Sequence, residues 1–199
     1  RRYLRQRRAA PPKKPEERFV KRALFLIVAL LPVAAAALAA PPQAGDLLPV
    51  VELAAPGDAA QRQYLGLGAG ERFRIADIQS EVVIVQIFSM YCPHCQRQAP
   101  EVNRLFEIIE TDRHLRGRVK LIGIGVGNSE FEVGVFRQSF TIPFPLFADE
   151  RLAVHQQLGS VRTPYFFGAK IGGDGAARVF YSRAGGIEDG GAGEFLEIL

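Results

Sequence analysis

Apolar residues fill Val82-Val83-Ile84-Val85-Gln86-Ile87-Phe88 almost without a break. They fill Val119-Lys120-Leu121-Ile122-Gly123-Ile124-Gly125-Val126 in the same way. Runs this short and this rich in β-branched residues predict central strands covered on both faces. Between them, Val102, Leu105, Phe106 and Ile109 recur at i, i+3, i+4 and i+7. That spacing predicts the apolar face of a helix reaching about residue 111, kinked at Pro100. Strand, helix and strand in succession imply a right-handed parallel crossover.

Further along, Ser129-x-x-Glu132 is a capping box. It predicts a helix carrying Phe131, Val135, Phe136 and Phe140, whose phenylalanines join Phe144 and Phe147 in the core. The prolines around Phe144-Pro145-Leu146-Phe147 suit a short edge strand. Asp149 suits the cap of a short helix ending near Leu158. Residues 163–167 and 178–181, joined by Gly172-Gly173-Asp174-Gly175, predict a hairpin. A weak helix is expected over residues 194–199.

Ahead of residue 82 the pattern is weaker. Residues 41–62 are rich in Pro, Ala and Gly and predict a linker with an irregular entry to the domain. Tyr64-Leu65 and Arg72-Phe73-Arg74-Ile75 flank Gly66, Gly68 and Gly70, which suggests a short hairpin. The glycines are too closely spaced for a phosphate loop, and no helix is expected after them. The compact domain is therefore expected over residues 63–199.

Charge changes the picture at the N-terminus. Residues 1–22 carry ten Lys/Arg and two Glu, a local +8. The whole chain is +4, so residues 23–199 sum to −4 and nucleic-acid binding is not expected there. Residues 23–40 hold no charge and include Ala37-Leu38-Ala39. A basic stretch, an apolar stretch and an A-x-A end describe a secretory signal over residues 1–40. Cleavage would release a soluble domain; the uncleaved span would anchor the chain in a membrane. The chain begins with Arg1 rather than Met, as a fragment or a mis-started reading frame would.

The candidate chemistry sits in Tyr91-Cys92-Pro93-His94-Cys95, where the apolar run of residues 82–88 ends and a helix opens. These are the two cysteines of the chain. A disulfide-stapled fold and a peroxidase with a distant resolving cysteine are both excluded. A structural zinc site wants four ligands, and only His94, His114 and His155 are available to supplement the pair. Haem attachment wants His after the second cysteine, where Gln96 stands. A strand, Cys-x-x-Cys and a helix instead read as a dithiol redox site needing no cofactor beyond a Cys92–Cys95 disulfide. The helix N-terminus favours a Cys92 thiolate, and Pro93 fits the first helical turn. His94 would add stabilisation if it were protonated or donated a hydrogen bond. Cys92 is expected to attack a protein disulfide and Cys95 to resolve it. Tyr91 is equally a substrate contact and a lid on the core.

The chain resembles the thioredoxin superfamily, and within it the TlpA/ResA-like periplasmic thiol–disulfide oxidoreductases, over roughly residues 45–199. The resemblance rests on Ile75-Ala76-Asp77-Ile78, the strand entering Cys92-Pro93-His94-Cys95, Pro143-Phe144-Pro145-Leu146 and Val161-Arg162-Thr163-Pro164. The stretch from Phe88 to Cys95 is also similar to DsbA-type oxidases. The resemblance implies an α/β thioredoxin fold, a central mixed sheet flanked by helices. It implies that Pro164 is a cis-proline facing the dithiol and that the Thr163 backbone meets substrate. It implies a periplasmic or membrane redox partner. Relatives often carry an acid where this chain has Gln86, and many carry a glutamate where it has Gln98. Reductase is the expected direction, with a DsbA-like oxidase as the alternative. A thiol peroxidase would use Ser89 but lacks the expected proline at Val85. A copper chaperone would space its cysteines one residue further apart.

Overall fold

A computed structural model describes residues 40–187 and residue 196. The signal or anchor segment and the C-terminal helix expected over 194–199 lie outside those residues, Leu196 apart. The described elements run β1 (Glu52–Ala54), α1 (Ala59–Leu65), β2 (Arg72–Arg74), β3 (Val82–Phe88), α2 (Pro93–Thr111) and β4 (Val119–Val126). They continue with α3 (Glu130–Phe140), β5 (Leu146–Asp149), α4 (Ala153–Gln157), β6 (Tyr165–Ile171) and β7 (Ala177–Ala184).

The main sheet has the order β5-β4-β3-β6-β7. β3, β4 and β5 are parallel, while β6 runs antiparallel to β3 and β7 antiparallel to β6. This is the mixed sheet the sequence predicts. All seven residues of β3 are buried. Its alternating side chains divide between two cores, because successive strand residues point to opposite faces. Val83, Val85 and Ile87 pack with Leu53, Phe73, Ile122 and Phe167 on one side. Val82, Ile84 and Phe88 pack on the other with Cys95, Ala99, Val102, Leu105 and Ile109 of α2. Pro100 lies inside α2 without ending it.

Two expectations are corrected. Tyr64 and Leu65 form no hairpin with residues 72–75. They close helix α1, and β2 pairs with β1 instead, Leu53 opposite Phe73. Strand and helix thus occupy part of the stretch expected to be irregular. Tertiary contact explains the helix. The Tyr64 hydroxyl accepts from Leu121 N–H at 2.8 Å and donates to Leu121 C=O at 3.4 Å. β5 pairs with β4 only from Gly123 onward, so Tyr64 covers the edge that β5 leaves open. Asp58 caps the helix start, and Gly66 ends it at φ 67.

The second correction is Phe131, which is 79% exposed and not core. The inward stripe of α3 is Val133 and Phe136, with Phe140 partly buried against them. Phe131 precedes that stripe by two residues, about 200° around the helix. The capping box of Ser129 and Glu132 forms as expected. Asp149 accepts from the backbone N–H groups of Val154 and His155, which starts α4 at residue 153.

The chain between α4 and β6 turns at Gly159, where φ is 86 and an added Cβ would lie 2.4 Å from Pro41 N. Left-handed strain and backbone overpacking together predict that Gly159→Ala costs roughly 2–4 kcal/mol. A urea titration measures this as a lowered midpoint with an unchanged slope.

Candidate active site

The apolar run of β3 ends at Phe88, and a single turn separates it from α2. Cys92 N–H closes that turn on Ser89 C=O at 3.0 Å. Cys92 is then the N-cap of α2, and Pro93 fills the first helical position, where no N–H is required. The Cys92 sulfur accepts the Cys95 backbone N–H at 3.4 Å and donates its own proton to Thr163 C=O at 3.5 Å. Cys92 is partly exposed, while Cys95, one turn in, is fully buried. Both are thiols in this structure.

The two sulfurs are pushed in opposite directions. Burial alone would raise the Cys92 thiol. Hydrogen bonds from the Cys95 thiol, from the Thr163 side chain, and from the backbone N–H groups of Cys95 and His94 outweigh it and hold the group below the ordinary thiol range. Burial first, then the hydrogen bond and charge of Cys92, pushes the Cys95 thiol up to about 12. One sulfur is prepared to attack and the other to wait protonated, as a dithiol relay requires.

These shifts predict pH behaviour. Iodoacetamide should label Cys92 with a rate that rises with pH and levels off at a midpoint below about 8.5, the free thiol value. Cys95 should stay unlabelled through that range. The stability signs are opposite. The depressed Cys92 group stabilises the reduced fold above the ordinary thiol value, and this is lost as pH falls through its folded value. The raised Cys95 group costs stability as pH rises from the ordinary thiol value towards about 12.

The other predicted residues are distributed around this pair. Thr163 and Pro164 are joined by a cis peptide, with Pro164 buried and its carbonyl accepting from Gly185 N–H at 3.0 Å. Thr163 thus lies directly against the Cys92 sulfur. Tyr91 is 65% exposed, and its hydroxyl donates to Glu132 of α3. It is therefore no lid on the core. The His94 ring is also exposed, and its Nδ1 is 2.8 Å from Arg97 Nη2. Arginine can only donate, so Nδ1 accepts and the ring proton sits on Nε2. His94 reaches the Cys92 sulfur through its backbone N–H, not its ring. Gln86 and Gln98 are both buried, and among the described residues neither amide atom of Gln98 has a hydrogen-bond partner.

Sequence reasoning missed several contributors. Asn128, fully buried, accepts Met90 N–H at 2.8 Å. Gln96 donates to Met90 C=O at 2.6 Å. His155 has Nε2 within 2.8 Å of Val161 C=O, two residues before Thr163. The i, i+3 spacing of His94 and Arg97 was a usable signal. The Asn128 and His155 contacts join separate elements and left none. Among the described residues, no group of three or more His, Cys, Asp or Glu is placed to hold a metal ion.

The chain is similar to known proteins in sequence and in fold. The chain is 25% identical over 98 residues to the thiol-disulfide oxidoreductase ResA of Geobacillus thermodenitrificans, covering 49% of this chain and 53% of that one. It therefore spans about half the length of that relative. It is 22% identical over 147 residues to ResA of Halalkalibacterium halodurans, covering 74% and 78%. The fold is similar to the thioredoxin domain of a thiol-disulfide oxidoreductase from Bacteroides vulgatus, with a TM-score of 0.57 at 11% identity over 77% of this chain and 95% of that one. It is also similar to StoA from Bacillus subtilis, with a TM-score of 0.50 at 20% identity over 65% and 89%. The model of the AhpC/TSA family matches residues 54–184, a span that runs from the end of β1 to the end of β7 and encloses the dithiol. The chain belongs to the AhpC/TSA family, with the thioredoxin fold of its ResA-like relatives.

Proposed function

We propose that the chain exchanges disulfides with protein substrates and acts as a reductase. The Cys92 thiolate attacks a substrate disulfide, forming a mixed disulfide and releasing one substrate thiolate, which takes a proton. Cys95 then loses its proton, attacks the Cys92 sulfur and releases the second substrate thiolate. The substrate gains two electrons, and the protein leaves as the Cys92–Cys95 disulfide. A thiol-bearing redox partner restores the dithiol. The carrying observation is the opposed pair: a partly exposed Cys92 held below the thiol range beside a buried Cys95 held far above it.

The reductase direction is supported by His94. A strongly oxidising dithiol is one whose reduced form is strongly stabilised. Here the His94 ring nitrogen Nδ1 is engaged by Arg97. The Thr163 carbonyl beside Cys92 suits pairing with an extended substrate segment. An extracytoplasmic setting, with the chain secreted or held by residues 23–40, is supported by the basic and then apolar N-terminal sequence. Among the described residues no helix is long and apolar enough to cross a membrane.

The test mixes the reduced protein with disulfide-bonded insulin and counts thiols on both. One substrate disulfide opened for each Cys92–Cys95 disulfide formed is the expected result. Unchanged insulin beside an unchanged thiol count would overturn the proposal.

A further inference from the structure

The peptide around Met90, two residues before the nucleophile, is held from both ends. Asn128 Oδ1 accepts its N–H at 2.8 Å, and Gln96 Nε2 donates to its carbonyl at 2.6 Å. Asn128 Nδ2 also lies 3.4 Å from the Ser89 hydroxyl, which it reaches as donor. Asn128 is 0% exposed, so its amide has no water to fall back on. Its own place is fixed tightly. A Cβ at Gly125 would meet Val133 Cγ2 at 2.8 Å, Asn128 Oδ1 at 3.2 Å and Phe88 Cζ at 3.2 Å. The β4–α3 turn is therefore packed against the loop that leaves β3, with no slack around the amide.

We infer that Asn128 is a positioning residue for the Cys92 nucleophile, acting through the Met90 peptide with Gln96 as the opposing tie. The Cys92 sulfur is stabilised by N–H groups at the start of α2, and those bonds require the loop to deliver it in register. Burial of the sulfur persists if the loop shifts; the hydrogen bonds do not. Releasing Met90 should therefore leave a thiol that ionises less readily. A fully buried asparagine that served packing alone would leave that ionisation unchanged.

The test measures the rate of iodoacetamide labelling of Cys92 against pH in Asn128→Ala and Gln96→Leu, with Phe73→Leu in the opposite core as the stability control. The titratable and charged side chains of the elements that meet at this loop, among them Cys95, His94, Arg97, Tyr91, Glu130 and Glu132, are the same in every variant. Asn128→Ala should move the labelling midpoint up by about one pH unit and slow labelling at pH 7 about tenfold. Gln96 is exposed, so Gln96→Leu should fold normally and move the midpoint the same way by about half as much. Phe73→Leu should lower stability and leave the midpoint alone. A wild-type midpoint in Gln96→Leu, or in a folded Asn128→Ala, overturns the inference. The inference rests on Cys92 being the attacking thiol of the proposed exchange. The readout is thiol ionisation and not turnover, so it fails separately from that activity.

Discussion

Cys95→Ser should convert the protein into a covalent trap. Its Cys92 would still attack a substrate disulfide, but no second sulfur would release the product. A mixed disulfide with substrate should accumulate on non-reducing gels and disappear with dithiothreitol. Cys92→Ser should behave differently and lose at least about 10³-fold of the exchange rate. The remaining sulfur is fully buried, and burial, the largest cause holding its thiol protonated, persists without Cys92. Equal trapping by both variants would contradict the assignment of roles.

Gln98→Glu should speed resolution of the mixed disulfide about 10- to 100-fold at neutral pH. The Cys95 proton must leave before that sulfur can attack, and the neighbouring amide cannot accept it. Gln98 stands one turn beyond Cys95 on the same buried face of α2, 7% exposed, with both amide atoms unpartnered among the described residues. Gly186 packs over it, since a Cβ there would lie 2.9 Å from Gln98 Oε1. Glutamate has nearly the same shape. Burial would raise its carboxyl group towards neutrality and make it a usable base. The wild-type protein should resolve slowly, with a rate that climbs steeply into alkaline pH. The variant should be faster and flatter, at a cost of about 1–3 kcal/mol for the buried carboxylate. Stopped-flow release of a chromogenic thiol would measure it, and identical pH profiles would rule the effect out. Gln86→Glu, on the core face that Cys95 shares, is the companion variant.

Much of this arrangement was legible because it is local. An apolar run, a Cys-Pro-His-Cys helix start, a capping box and a glycine turn each declare themselves within a few residues. They yielded β3, α2, β4, α3 and the β6–β7 hairpin. What escaped depends on contacts between distant segments. Helix α1 has no apolar stripe. It is held by Tyr64 plugging the β4 edge, with Leu65 buried beside it. Phe131 departs from the expected core because a helical aromatic is buried only on the inward face, which here carries Val133 and Phe136. Asn128 reads as a loop residue between Gly127 and Ser129, and only its bond to Met90, 38 positions away, reveals more. His94 was placed correctly on the helix, but its partner Arg97 redirects the ring.

The reduction potential of the Cys92–Cys95 couple, measured at equilibrium in glutathione buffers by mass-resolved thiol labelling, tests the proposed exchange most directly. The predicted result is one two-electron transition confined to this pair, closer to about −270 mV than to about −120 mV. A transition near −120 mV would contradict the reductase direction. Failure of the pair to form a disulfide at any buffer ratio would contradict the exchange itself.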